Sequence, residues 1–103
     1  MLKFAEVYEK KVRNVEERTD GSEFVTFSSV FDTRESLINK DYIVAVQPHE
    51  FSSTRDQDRI EKCFAENTKF SSITLDGNSF RKSEVIVVGS FEKMCRLLQD
   101  NTT

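Results

Sequence analysis

The sequence predicts an α+β fold: a small twisted, mostly antiparallel sheet of about five strands, able to curl toward a barrel, with a C-terminal helix. Three observations carry this. Tyr42-Ile43-Val44-Ala45-Val46 and Val85-Ile86-Val87-Val88 are apolar, β-branched runs of the kind that form strands buried on both faces. Asp76-Gly77-Asn78 is a strong hairpin turn. Phe91, Met94, Cys95 and Leu98 recur at i, i+3, i+4 and i+7, behind a helix cap at Gly89-Ser90. Leu, Ile, Val and Phe make up 29 of the 103 residues, enough apolar material for one small domain over 1–103 to fold.

Along the chain, Met1 to Arg18 supports two readings. Phe4, Tyr8, Val12 and Val15 fall at helical spacing, whereas Leu2, Phe4, Glu6 and Tyr8 share one side of a strand; periodicity favours the helix. Thr19-Asp20-Gly21-Ser22 is a turn, and Glu23 to Phe31 a strand with Val25 and Phe27 on one face and Phe24, Thr26 and Val30 on the other. Asp32-Thr33-Arg34-Glu35 is expected to break it. After the turn Asn39-Lys40-Asp41, Tyr42 to Val46 is expected to be an inner strand that Pro48 ends. A polar insertion at about 49–67 follows, a structured loop or short helix: Thr54 and Gln57 resemble a capping box, and Ile60, Cys63 and Phe64 form an apolar stripe. Lys69 to Leu75, the Asp76-Gly77-Asn78 turn and the strand starting at Ser79-Phe80-Arg81 make a hairpin. Glu92 and Arg96 suit the dipole of the last helix.

Eighteen acidic against 15 basic residues leave a net charge of −3, which supplies no general attraction to nucleic acid or anionic lipid. Without an apolar run long enough to span a bilayer, and with charges in the first segment, the chain reads as soluble and cytoplasmic, with no membrane role. Cys63 and Cys95 are expected to be two free, buried thiols. Their spacing and the single histidine, His49, match no zinc site, and Asp56, Asp58 and Glu61 lack the glycine and terminal glutamate of a calcium loop. Gly21, Gly77 and Gly89 are isolated, which argues against a phosphate-cradling loop. His49 has no evident catalytic companion, so the expectation is a non-enzyme without cofactor or metal.

Two surfaces remain. In the insertion Asp56, Asp58 and Glu61 alternate with Arg55, Arg59 and Lys62; the default is a solvated helix face with an Asp58–Lys62 pair, and the functional reading is a partner-binding surface of Asp56, Asp58, Arg59 and Glu61. Between Lys69 and Arg96 five basic residues face three acidic ones, and Phe80, Arg81 and Lys82 could form a nucleic-acid-binding hairpin, although phenylalanines on strands are more often core.

Five stretches, the extended Phe-Val segment from Phe24, Leu37-Ile-Asn-Lys-Asp-Tyr-Ile-Val-Ala-Val46, Ser72-Ile-Thr-Leu-Asp-Gly-Asn-Ser-Phe80, Glu84-Val-Ile-Val-Val-Gly-Ser-Phe-Glu-Lys-Met94 and the opening Met1-Leu-Lys-Phe4, resemble the flagellar FlbD/SwrD-like family and similar small phage or plasmid proteins. The resemblance implies a small sheet plus helix acting by contact, and it turns Met1 to Glu9 from helix to strand. The chain departs from the pattern between Val12 and Ser22 and from His49 to Asn67. The expected function is therefore a non-enzymatic interaction or regulatory protein, of the phage or mobile-element kind, that binds a protein partner through its insertion. The alternative is a small nucleic-acid-binding module. Because two strands are apolar on both sides and one helix shields one sheet face, a homodimer covering the second face is also expected.

Overall fold

A computed structural model of the protein describes residues 1–76 and 84–99. Strands β1 (Leu2–Glu17) and β2 (Glu23–Ile38) are followed by a short 3-10 turn, Lys40–Tyr42, and β3 (Ile43–His49). Helix α1 (Thr54–Cys63), β4 (Phe70–Leu75), β5 (Glu84–Val88) and helix α2 (Phe91–Gln99) complete the chain. All pairings are antiparallel, in the order β2-β1-β5-β4-β3. The sheet is open, with β2 and β3 at its edges, so it does not close into a barrel. No helix among the described residues is long and apolar enough to cross a membrane.

The first two strands form one continuous hairpin, in register from Leu2↔Ile38 to Glu17↔Glu23. At its tip Gly21 takes φ +86°, a left-handed conformation that a side chain would disfavour, and Asp20 accepts hydrogen bonds from the backbone N–H and the hydroxyl of Ser22. Those bonds hold the Asp20 carboxyl below the usual carboxylate range. Two expectations fall here. The segment after Glu9 is strand, because it gains a complete antiparallel partner in β2, rich in Phe, Val and Thr, that periodicity alone does not reveal. Nor does Asp32-Thr33-Arg34-Glu35 break β2; these residues pair with Ala5 to Tyr8, and their charges find partners across the strands. Lys10 donates to Asp32 at 2.8 Å, lowering that carboxyl's pKa. Arg34 Nε donates to the buried Glu6 carboxylate at 2.7 Å and its guanidinium lies over the Tyr8 ring.

Among the described residues, Glu6↔Val87 and Val7↔Ile86 are the pairs that join this hairpin to the rest of the sheet. Beyond Val7 the ribbon leaves the sheet; α1 still covers it at Phe31 and Ser29, past which it projects as a free two-stranded arm, and nine residues from Glu9 to Glu17 carry its tip about 30 Å outward at the usual strand rise. The molecule accordingly measures 68 × 31 × 20 Å. Its radius of gyration, 17.7 Å, exceeds the ~13 Å of a compact chain of this length.

Alternation along β1, β4 and β5 divides the core between the two sheet faces. On one face Phe4, Ile38, Ile73, Leu75, Val85 and Val87 pack under Met94 of α2, with Leu97 beside it. On the other, Val7, Phe31 and Phe70 are covered by Phe51, Ile60 and Phe64, contributed by α1 and its flanks. The insertion is therefore a helix that shields the second face, and the bare face from which a dimer was expected is already occupied within the chain.

Three further details depart from expectation. β3 is an edge strand that continues through Pro48, which pairs with Ser71; on an edge the missing N–H costs no ladder bond if it faces outward. Tyr42 belongs to the 3-10 turn, capped by Asn39. Both cysteines are free, but Cys63 is exposed, its thiol donating to the Phe31 carbonyl at 3.0 Å, and Cys95 is half-buried.

Candidate functional site

The polar stretch after β3 becomes a helix because Ser53 supplies its cap: the hydroxyl accepts from Asp56 N–H at 3.1 Å, one residue ahead of the expected Thr54. The apolar Ile60 and, just past the end, Phe64 then seat the helix on the sheet. Beneath it is a chain of edge-on and tilted rings: Phe51 lies 5.3 Å from Phe31, 5.1 Å from Phe70 and 4.7 Å from His49. Phe64 meets Phe70 at 5.1 Å. His49 is thus held against Phe51 at the end of β3.

Arg59 fastens α1 to the hairpin. Its side chain is only 14% exposed, lies over the Phe31 ring at 4.9 Å, and donates to Asp56 at 2.6 Å and to the Ser29 carbonyl at 3.4 Å. Glu9 on β1 is 3.8 Å away. The ion pair of α1 is therefore Asp56–Arg59, while the expected Asp58–Lys62 pair is not formed among the described residues.

Between the end of β3, α1, the start of β4 and the start of α2 lies an open cleft of about 430 Å³. Phe51, Ile60, Phe70 and Phe91 give it an apolar floor, and Glu50, Glu61 and Glu92 stand around it with His49 and Lys69. The start of α2 is fixed there by Ser90, whose hydroxyl accepts from Lys93 N–H at 3.1 Å, as the Gly89-Ser90 cap predicts. Gly89 itself donates its N–H to the Lys69 carbonyl and accepts from Ser71 Oγ, both at 2.8 Å, which locks the cleft wall to β4.

Of the residues singled out from the sequence, the structure brings Glu61 to this cleft. Asp56 is paired with Arg59, which itself is engaged with the hairpin, and Asp58 is exposed away from the cleft lining. Phe80, Arg81, Lys82 and the Gly77–Asn78 part of the hairpin turn lie outside the described residues. Sequence reasoning missed Glu50, Phe51 and Glu92 as members of the cleft. The available signal was Phe51, a large apolar residue within an otherwise polar stretch. Among the described residues no three His, Cys, Asp or Glu side chains are grouped to hold a metal ion.

The fold and site together define a small open-sheet α+β protein with a helix on each face and a cleft where the two helices and the sheet end meet. No protein-family model, curated protein or solved structure matches the chain.

Proposed function

We propose that the protein is a non-enzymatic binding module that takes a short segment of a partner protein in the cleft beside α1. The observation that carries this is the cleft's make-up: an apolar floor of Phe51, Ile60, Phe70 and Phe91, ringed by three carboxylates against one lysine. Such a surface suits a segment that combines apolar side chains with lysine or arginine, since the rim carboxylates select the charge and the floor supplies the apolar burial. The insertion builds much of this wall, in keeping with loops and short helices on a rigid sheet being where binding collects. A phosphate backbone is the less fitting ligand, because the same three carboxylates would repel it.

Selection from a displayed random-peptide library against the full chain tests the reading. Enriched sequences should carry basic residues flanked by apolar ones, and Glu61→Lys with Glu92→Lys should weaken their binding at least about tenfold while circular dichroism is unchanged. Failure to enrich any sequence, or binding indifferent to the charge reversal, would count against it.

A further inference from the structure

The projecting arm has two unlike faces. Directly paired residues of the two strands share a face, so Lys10, Asn14, Ser28 and Phe24 lie on one, and their needs are met within the chain. Lys10 is paired with Asp32, Asn14 donates to Ser28 at 3.1 Å, and Arg18 covers the Phe24 ring at 4.5 Å. The opposite face carries Lys11↔Ser29, Arg13↔Phe27, Val15↔Val25 and Glu17↔Glu23. There Phe27 is 67% exposed, Val15 51% and Val25 38%. The four charged residues form no ion pair among the described residues.

The order of these groups is informative. From the body outward this face is cationic at Lys11 and Arg13, apolar at Phe27, Val15 and Val25, and anionic at Glu17 and Glu23. A surface graded in this way is complementary to itself when turned end for end. We propose that the arm is a self-association surface, taken by the arm of a second copy of this chain packed antiparallel, face to face, about a two-fold axis near Asn14 and Thr26. Glu17 of each copy then lies over Lys11 of the other, with Glu23 beside it and Arg13 one pair further in, within reach of that acidic end, while Phe27, Val15 and Val25 meet about the centre, as an isologous interface requires.

The geometry limits the register as well. On this same face α1 covers the ribbon at Phe31 and Ser29 through Arg59, so the free stretch ends there and an incoming tip stops against the helix. Nucleic acid is a poorer occupant, since from Glu9 to Phe31 the arm has four cations against five carboxylates. About eight residues a side is well short of the 20–30 of a standard interface, so the dimer is weak and forms at high concentration.

Sedimentation equilibrium of the full chain at low salt, from about 1 μM to about 1 mM, tests this. The mass should rise from 11.9 kDa towards twice that value. Lys11→Glu with Arg13→Glu should stay monomeric, and so should Glu17→Lys with Glu23→Lys. An equimolar mixture of the two double variants should associate again, because each supplies the charge the other lacks. Phe27→Ser should weaken association about tenfold or more. A wild-type protein that is monomeric at the highest concentration overturns the proposal. So does a dimer that survives both charge reversals, or a mixture no more associated than its components.

Discussion

Arg59 joins three elements through one side chain. It bridges α1 to the carbonyl of Ser29 on β2, approaches Glu9 on β1 and lies across Phe31, while its Nε is buried without a hydrogen-bond partner among the described residues. A lysine has neither the planar fork nor the stacking surface for these tasks. Arg59→Ala should therefore lower stability by about 1–3 kcal/mol in urea denaturation, and Arg59→Lys should recover less than half of the loss. Equal stability of the lysine variant and the native protein would show the arginine to be a surface charge. From the sequence Arg59 is indistinguishable from Arg55, because what separates them is the hairpin that α1 meets in space. The same holds for Glu6, which stands at an inward position of a strand with its partners Arg34 and Ser36 nearly 30 residues away.

The elements were legible where one periodicity had no competitor. β5 and α2 follow from an unbroken β-branched run and a clean i, i+3, i+4, i+7 stripe, of which Met94 is buried and Cys95 and Leu98 half-buried, while Leu97 joins them and Phe91 is turned to the cleft. The first hairpin was obscured because most of its length has no core to face, so its apolar residues lack the strict alternation that marks a half-buried strand. For the cleft, Glu61 was within reach of sequence reasoning, but its far wall comes from a helix start some 30 residues further along. The joint between β5 and α2 offers a test of element-level fit. Gly89 has φ +142°, and a Cβ there would collide with Met94 Cε. Gly89→Ala should then cost about 1–3 kcal/mol of unfolding free energy through backbone strain and overpacking. A cost below about 0.5 kcal/mol would mean that the strand-to-helix joint can relax without penalty.

At the scale of the whole molecule, a two-layered body is attached to a ribbon that lacks a layer of its own. Two-stranded ribbons are marginal alone, and opening free energies follow local burial. In dilute protein, amides of β4 and β5 should be the last to exchange with deuterium, while those from Glu9 to Glu17 and Glu23 to Val30 should be less protected by about two orders of magnitude. Uniform protection along the full hairpin would show the arm to be as stable as the body. The arm has another consequence, which concerns the condition of the protein rather than its partners. Phe24-Val-Thr-Phe-Ser-Ser-Val-Phe31 is eight residues without a charge, proline or glycine, and it forms the outer edge of the sheet, where no strand follows. That composition favours stacked, cross-β assembly, and an open edge exposes its backbone groups for pairing. All of this stretch but its last residue, the buried Phe31, thus lies in the arm, outside the folded core. The charged residues of the neighbouring strand, Glu9, Lys10, Lys11, Arg13, Glu16 and Glu17, guard one side of it and leave the other bare.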